Sequence, residues 1–490
     1  MGRLAPGHAA ADGRQELCNF GANVRFAPRH YYQPASEDEV LEILRRHRGQ
    51  RIRCIGRLHS WSPAPQGDDV VIDLQRLNGV VVERDERGTW ATLGGGCQIK
   101  RALASLAPQG LTLPTLGLVS EQSIAGAVST GTHGSGRHSM SHYVAEVRLA
   151  AYDPASGEPV IRTLTGGKEL AAARCAVGCL GVILSVKLPV RDAYFLEEHL
   201  REYAALGDVL AAEEQYPLQQ FFLIPWRWTF LTQHRRESPG PRNWHAPLYR
   251  LYWLATIDVG LHILLKLLVN VVGSNWLVAF FYRWLILLFV IRGWRVVDHS
   301  QDHLVMEHEL FRHIEVEIFV RRSRLEEALG LTRQLIECLG HGADAPAESA
   351  RQRLTELGLA EEVFAAAGTY HHHYAICIRK VLADETLISP ASGDGAAEAE
   401  PFYAISLISY ARPSQREGFF EFARLLSKCL AQACDGRPHW GKVCPLSADE
   451  IGALYPRLVE FRQVCRELDP AGRFQNDWTA SHLMGESPSN

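Results

Sequence analysis

The chain has 490 residues, 47% hydrophobic and 22% charged, with Lys+Arg 51 against Asp+Glu 55 and a net charge of -4. That length provides for roughly two to four folding units around large cores. The composition is that of an ordinary globular protein, and the absence of a basic excess argues against a nucleic-acid binder. The eleven cysteines include no CxxC pair, so they read as thiols in a reduced compartment rather than a disulfide scaffold. The segment Met1–Gln15 lacks the apolar core of a signal peptide, and Pro6 speaks against myristoylation at Gly2. The expectation is a cytoplasmic protein.

In chain order, Ser36 is an N-cap with acids behind it and Arg/His beyond, which predicts a helix over about 37–47. RIRCIG (51–56) alternates as a strand and empties into GRLHSWSP (56–63). VVIDLQRLNGVVVERDERGTWATLGGG follows as short β-branched runs with turns at Asn78-Gly79 and Glu86–Gly88. IKRALASLAPQG (99–110) predicts a helix ending at Gly110. VAEVRLAAYDPASGEPVIRTLT reads as a hairpin, and AVGCLGVILSVKLPV (176–190) as a buried strand opened by Gly178 and Gly181.

Between these elements lies GLVSEQSIAGAVSTGTHGSG (117–136), where Ser123, Gly126, Ser129, Thr130, Gly131, Thr132, Gly134 and Gly136 crowd together with little bulk. Glycines let backbone amides approach a ligand, and successive N–H groups make an anion-binding concavity. Small hydroxyls add donors. Such a loop suits a pyrophosphate, and hence a dinucleotide. A glycine-rich surface loop without a ligand is the plainer alternative. The pattern is neither the Rossmann GxGxxG nor the P-loop GxxxxGK[ST].

The ordered set GRLHSWS, VVIDLQRLN, GGGCQIKRAL, LPTLGLVSEQSIAGAVSTGTHGSG and GCLGVILSV resembles the FAD-binding domain of the vanillyl-alcohol oxidase superfamily. The resemblance implies an α+β fold: a two-part FAD-binding domain of that type with an α+β substrate (cap) domain. It places the FAD pyrophosphate on residues 123–136, His133 included, and the adenine near Gly178, Gly181, Val182 and Ile183. Family members often attach the flavin to a histidine in G-x-x-H-S. Gly56, His59 and Ser60 match it, so FAD covalently held through His59 is expected.

Beyond residue 195 the character changes. QYPLQQFFLIPWRWTFLTQHRRE (215–237) holds two aromatic strand patterns, and residues 251–293 are strongly apolar. The uncharged stretches 267–282 and 284–291 each fall short of the ~20 residues that span a bilayer. Joined across Arg283 they reach that length at a cost of about 2.5–3.5 kcal/mol for a central Arg. A patch lying on the membrane, with Trp276, Phe280, Phe281, Tyr282 and Trp284 at the interface, fits better. The alternative is a pair of buried helices. HIEVEIFV (313–320) is a strand on which Glu315 and Glu317 share one face, and RLEEALGLTRQLIECLG is a helix. HHHYAICIRKVLADETLISP (371–390) reads as an alternating strand and turn, in which alternation sends His371, His372 and His373 to opposite faces and so argues against a metal site. ASGDGAAEAE (391–400) is a flexible acidic loop, PFYAISLISYA a strand, and REGFFEFARLLSKCLAQACDG a helix stopping at Gly436.

RPHWGK, LYP, LDP and RFQN near the C-terminus narrow the resemblance to the sugar-lactone and alditol oxidoreductases. ADETLISP and the apolar insert match the membrane-associated animal-type members. The division expected is 1–195 for FAD, 196–434 for the substrate, and 435–490 completing the FAD site. The implied reaction is oxidation of a CH–OH group of a sugar-1,4-lactone or polyol, with hydride passing to the flavin and O2 or another acceptor reoxidising it.

Such a site needs cations and donors against developing negative charge. Lys442 matches the family lysine, His439 stands three residues before it, and Arg379 matches the Arg of a Glu-x-Arg pair. The Glu of that pair is replaced by Cys377, a weak and neutral donor; Glu315 or Glu317 on a neighbouring strand is the candidate to supply a carboxylate in its stead. That departure leaves room for a more lipophilic alcohol. A dehydrogenase feeding a quinone or cytochrome, and a non-catalytic flavin-binding module, are the competing readings.

Overall fold

The computed structural model describes residues 14–306, 312–341, 348–393 and 400–486. Most of the Met1–Gln15 segment and most of the acidic loop at 391–400 lie outside these residues.

Local signals build the N-terminal elements. The Ser36 hydroxyl accepts the Glu39 N–H at 3.2 Å, and Glu37, Asp38 and Glu39 face the positive end of helix Glu37–Arg46. Val40, Ile43 and Leu44 on its inner side are buried. Strand Val70–Asp73 lies in parallel between His30–Tyr32 and Ile52–Ile55. A second, antiparallel sheet runs Pro159–Leu164, Glu146–Tyr152, Val182–Pro189, Gly88–Gly94, Val80–Asp85. These two sheets share one hydrophobic core with the C-terminal residues Trp440, Leu446, Ile451, Phe461, Phe474 and Leu483. Trp440 is fully buried, donates from Nε1 to the Ile388 carbonyl at 2.6 Å and stacks on Tyr455.

The second core lies on a large sheet ordered Val296–His299, Phe195–Tyr203, Phe230–Ser238, Gln220–Leu223, Ile376–Leu382, Phe402–Ser409, Ile314–Arg321, Arg437–Pro438. Helices Leu325–His341 and Glu417–Cys434 cover one face, meeting Val316, Ile318, Ile376 and Ile378. Period-2 alternation then sends Glu315, Glu317, Cys377 and Arg379 to the other face, where a large cavity lies. Strand Ile314–Arg321 is buried along nearly its whole length because both its faces are covered.

The structure corrects several sequence readings. The glycine-rich stretch is not wholly loop. Residues Ile124–Thr130 form a short helix capped by Ser123, with left-handed Gly131 at its end, because Ile124, Ala127 and Val128 give it an apolar face to bury. Only Val182–Pro189 of the 176–190 segment is strand, since Val177, Gly178 and Gly181 all have positive φ and turn the chain instead. His371–His373 precede the strand Ile376–Leu382 rather than alternating within it. His371 stacks on Trp226, the Tyr370 hydroxyl lies 2.9 Å from His372 Nδ1, and His373 Nε2 accepts the Tyr410 N–H. The left-handed residue that stops the 417–434 helix is Asp435, not Gly436; a Cβ on Gly436 would meet Ile318 at 2.9 Å.

The apolar insert forms two helices, Ala246–Val272 and Asn275–Leu288, joined at left-handed Gly273. Among the described residues, Ala246–Val272 is the one helix long and apolar enough to cross a membrane. Its orientation is inverted relative to a water-soluble surface helix. Asp258, His262, Lys266 and Asn270, each four residues apart, are half-buried and turn inward. The Tyr374 hydroxyl approaches His262 Nε2 at 3.4 Å, Lys266 lies 5.6 Å from the Tyr410 ring centroid, and Asn270 donates to the Tyr410 carbonyl. Leu251, Ile263, Leu267, Val271, Trp276 (69% exposed), Phe280, Trp284 and Leu288 (78%) face outward. Phe281 and Tyr282, expected at the interface, are instead buried against the cap, because they fall on the inner side of the second helix.

Candidate active site

Two adjoining cavities meet where the two cores touch. The first is lined by the loop after strand Ile52–Ile55 (Gly56, Arg57, Leu58, His59, Ser60, Trp61), the short helix at Ser123, Gly126, Ser129 and Thr130, and the turn holding Val177, Gly178, Gly181 and Ile183. Small residues are required here. A Cβ on Gly56 would stand 1.8 Å from the Ser123 hydroxyl, and one on Gly181 2.6 Å from the Ala150 carbonyl. Leu58 holds a left-handed backbone (φ 53) although it is buried, and its carbonyl accepts the Phe20 N–H. That conformation costs energy for a branched residue and is the turn that delivers His59, with Phe20 stacked on its ring at 5.0 Å.

This lining suits a dinucleotide. Among the described residues it contains no Asp or Glu, while Arg53, Arg57 and Lys442 contribute cations and Ser60, Ser123, Ser129 and Thr130 contribute hydroxyls. Arg53 is itself fixed, its guanidinium donating to the backbone carbonyls of Phe474, Ala64, Val177 and Gly178.

The second cavity is about 670 Å³ and shares His59, Trp61, Gln122, His439 and Lys442 with the first. Its charged end is built on strand register. Glu317 lies opposite Ser406, Ser406 opposite Cys377, and Cys377 opposite Phe222. Arg379 donates from Nε to Gln220 Oε1 at 3.1 Å and stands 3.9 Å from Glu317. The segment after Arg437–Pro438 is stitched to the same strand: His439 N–H donates to the Glu317 carbonyl and Val443 N–H to the Glu315 carbonyl. Lys442 thereby pairs with the Glu315 carboxylate, which also accepts the Ser406 hydroxyl, and its ammonium lies 4.3 Å from the Trp61 ring centroid. His313 Nε2 lies 3.7 Å from Glu315, and His133 Nε2 lies 3.4 Å from Glu317.

The electrostatics follow from burial and partners. Burial by itself raises the Glu315 carboxyl, but Lys442 and His313 outweigh it and hold the group well below the usual range. Glu317 is likewise raised by burial, yet His133 and then Lys442 bring it down to about 2. Burial drives His439 down to about 3, so its ring is neutral. Its Nδ1 accepts the Gly441 N–H at 3.0 Å, which leaves Nε2 carrying the proton as a donor. Cys377 is pushed up by burial and stays a thiol.

Of the residues expected at the cofactor, Gly56, His59, Ser60, Ser123, Gly126, Ser129, Thr130, Gly178, Gly181 and Ile183 line the first cavity, and Thr132 and His133 the second. Lys442 and His439 line both, and Arg379 the second. Gly131, Gly134, Gly136 and Val182 line neither. A Cβ on Gly134 would meet the Leu116 carbonyl at 2.4 Å and one on Gly136 the Pro217 carbonyl at 1.9 Å, so these glycines serve close backbone packing. Sequence reading missed Arg53, Trp61, His313 and Ser406. A charge amid the apolar alternation of residues 52–55 was the available signal for Arg53; nothing local marks the others.

The fold and this pair of cavities define an FAD-dependent oxidoreductase of the vanillyl-alcohol oxidase type. The FAD binding domain family matches residues 28–157, and the D-arabinono-1,4-lactone oxidase family matches residues 228–482. The chain belongs to the FAD-linked aldonolactone oxidase family, whose members are FAD-dependent oxidoreductases acting on alcohols and sugar derivatives. A long-chain alcohol oxidase of an uncultured marine euryarchaeote is 52% identical over 97% of this chain and 98% of its own length. The alditol oxidase of Streptomyces sp. is 26% identical over 96% of this chain and 99% of its own. The L-gulonolactone oxidase of Bos taurus is 23% identical over 94% and 96%. Among solved structures, cholesterol oxidase from B. sterolicum superposes with a TM-score of 0.72 at 14% identity, over 99% of this chain and 100% of the other.

The depressed Glu317 carboxyl has a consequence for acid stability. Its folded value of about 2 lies below the ordinary 4.5. The stability it contributes is therefore complete above about pH 4.5 and is lost as pH falls towards 2. The urea midpoint of the wild type is expected to drop across that window, and Glu317→Gln to remove part of the slope.

Proposed function

We propose that the protein oxidises the carbinol of a long-chain primary alcohol, using FAD, at a membrane surface on the cytoplasmic side. Residues 1–195 and 435–490 hold the cofactor in this reading, and 196–434 the substrate. The observation that carries it is the make-up of the second cavity. From the charged cluster at Glu315, Glu317, Arg379 and Lys442 it extends past Leu200, Phe222 and Leu231 to Ile257, Leu261, Ile286 and Val290 of the insert. The floor from Glu317 to Glu198 crosses five strand spacings, about 24 Å, against the ~15 Å thickness of one bilayer leaflet's hydrocarbon. Apolar side chains make up most of this lining and suit an alkyl tail, with Gln220, Gln233, Arg235 and Glu198 standing among them on the sheet floor. The 52% identity to a long-chain alcohol oxidase supports the same substrate class.

Within this reading, Gly56, Ser123, Gly126, Ser129 and Thr130 receive the cofactor's phosphates, and His59 attaches it covalently. When bound, FAD supplies the two-electron acceptor for the hydride that leaves the carbinol carbon. Lys442 and Arg379 are cations placed where alkoxide charge develops, and His439 offers its Nε2–H to the same oxygen. The apolar walls keep water away from it. The insert lies on the bilayer rather than crossing it, because its inner stripe is engaged with the cap while its outer side chains are apolar.

Anaerobic addition of 1-alkanols is expected to bleach the flavin band at rates that rise with chain length, while aldonolactones leave it unchanged. Bleaching by lactones or polyols alone would overturn the substrate assignment. Acid precipitation is expected to leave the yellow colour in the wild-type pellet and to release it from His59→Ala; colour lost from the wild type rejects the covalent link. Wild-type protein is expected to float with lipid vesicles and the Trp276→Asp/Trp284→Asp variant to remain behind with its flavin content intact. Flotation unaffected by those changes would reject the membrane patch.

A further inference from the structure

We infer that Glu315 takes the hydroxyl proton of the substrate and hands it to His313. The inference rests on the alcohol oxidation proposed above and assigns the proton step to Glu315 of the two carboxylates that share this strand face.

Elimination among the groups at the charged end leads to it. Arg379 and the Lys442 ammonium have no lone pair to offer. The one free lone pair of neutral His439 is taken by the Gly441 N–H. His133 donates from Nδ1 to the Gly134 carbonyl and turns Nε2 to Glu317. Glu317 is held between His133 and Arg379, and Cys377 is a protonated thiol. Glu315 remains: a carboxylate in the cavity wall, in contact with Lys442, with acceptor positions left over beyond its bonds to Lys442 and Ser406. His313 stands beside it with a side chain 18% exposed, the outermost of the cluster's imidazoles. Tyr410 is the other titratable group whose charge would be felt at Glu315. Ser406 ties the carboxylate to the strand position opposite Cys377. A carboxylate two strands away is thus tied through Ser406 to the position opposite the one where the Glu-x-Arg pattern lacks its own.

Lys442 makes the base responsive. While its ammonium faces Glu315, the carboxylate is kept ionised. As the substrate O–H breaks, the growing charge on oxygen draws Lys442 away, and burial then favours protonation of Glu315. The O–H proton ends on Glu315 Oε, the carbinol hydride goes to the oxidised cofactor, and the product is a neutral aldehyde. His313 first gives its own ring proton to water, and its neutral ring then takes the proton from Glu315, which returns to the carboxylate.

The test uses flavin-loaded full-length protein and a long-chain 1-alkanol. Glu315→Gln preserves the side-chain shape and is expected to slow anaerobic bleaching by roughly 10²–10⁴-fold. It is also expected to abolish the acid-side fall in rate that the wild type shows. The dissociation constant of a fatty amide of equal length, which cannot be oxidised, should not change. Replacing Cys377 by Glu in that background is expected to restore part of the rate. His313→Phe is expected to make proton appearance, followed with a pH indicator, lag behind bleaching. Bleaching of Glu315→Gln at the wild-type rate would overturn the inference. A loss equal at every pH and accompanied by weaker amide binding would do the same, as would proton release still in step with bleaching in His313→Phe. Wild-type protein that no alkanol bleaches would instead overturn the proposed substrate class.

Discussion

Two buried carboxylates on one strand are the constraint around which the site is arranged. Glu315 and Glu317 share a face because of the two-residue period of the strand, and that face looks into a cavity rather than water. Isolated ions there would be strongly unfavourable, so each has a cation and further donors: Lys442, Ser406 and His313 for the first, His133 and Arg379 for the second. Removing Lys442 from the first or His133 from the second would take away the largest compensation each carboxylate has. The cluster draws its members from the glycine-rich stretch, the large sheet and the C-terminal segment, and so locks the two cores together at their junction.

The C-terminal segment is the clearest case of that locking. Its backbone is hydrogen-bonded to the carbonyls of Glu315 and Glu317, while Trp440 anchors it in the other core. Trp61 N–H donates to the Gly441 carbonyl, and the Ser62 hydroxyl donates to that of Trp440. The loop carrying His59 and the segment carrying Lys442 are therefore one rigid unit. A cation, an imidazole and a hydroxyl-rich cradle are presented to one point with little freedom to move apart.

The insert solves a different problem with the same logic. A helix whose outward residues are Leu, Ile, Val and Trp cannot be stable against water on that side, and its polar residues are accordingly turned to the cap. The inner surface of the same helix closes the cavity over the sheet with Ile257 and Leu261. One element therefore supplies both an apolar exterior and an apolar chamber.

The sequence by itself determined the class of this protein. Ser36 and Gly110 marked helix ends, alternation marked the strands, and the ordered motifs from GRLHS to HWGK identified the FAD-binding family, because those signals are local and depend on nearest neighbours. It placed Glu315 and Glu317 on a common face but not on a particular one, since alternation fixes relative and not absolute orientation. It read residues 124–130 as loop because small residues favour no element strongly until Ile124 and Val128 find a core to fill. It grouped Phe281 and Tyr282 with the exposed aromatics, because composition does not say which side of a helix meets the cap. Only the tertiary structure decided that Lys442 meets Glu315 across 127 positions of chain, and that the apolar insert roofs the cavity. Such pairings depend on sheet order and packing, which are properties of distant residues brought together and not of any window of sequence.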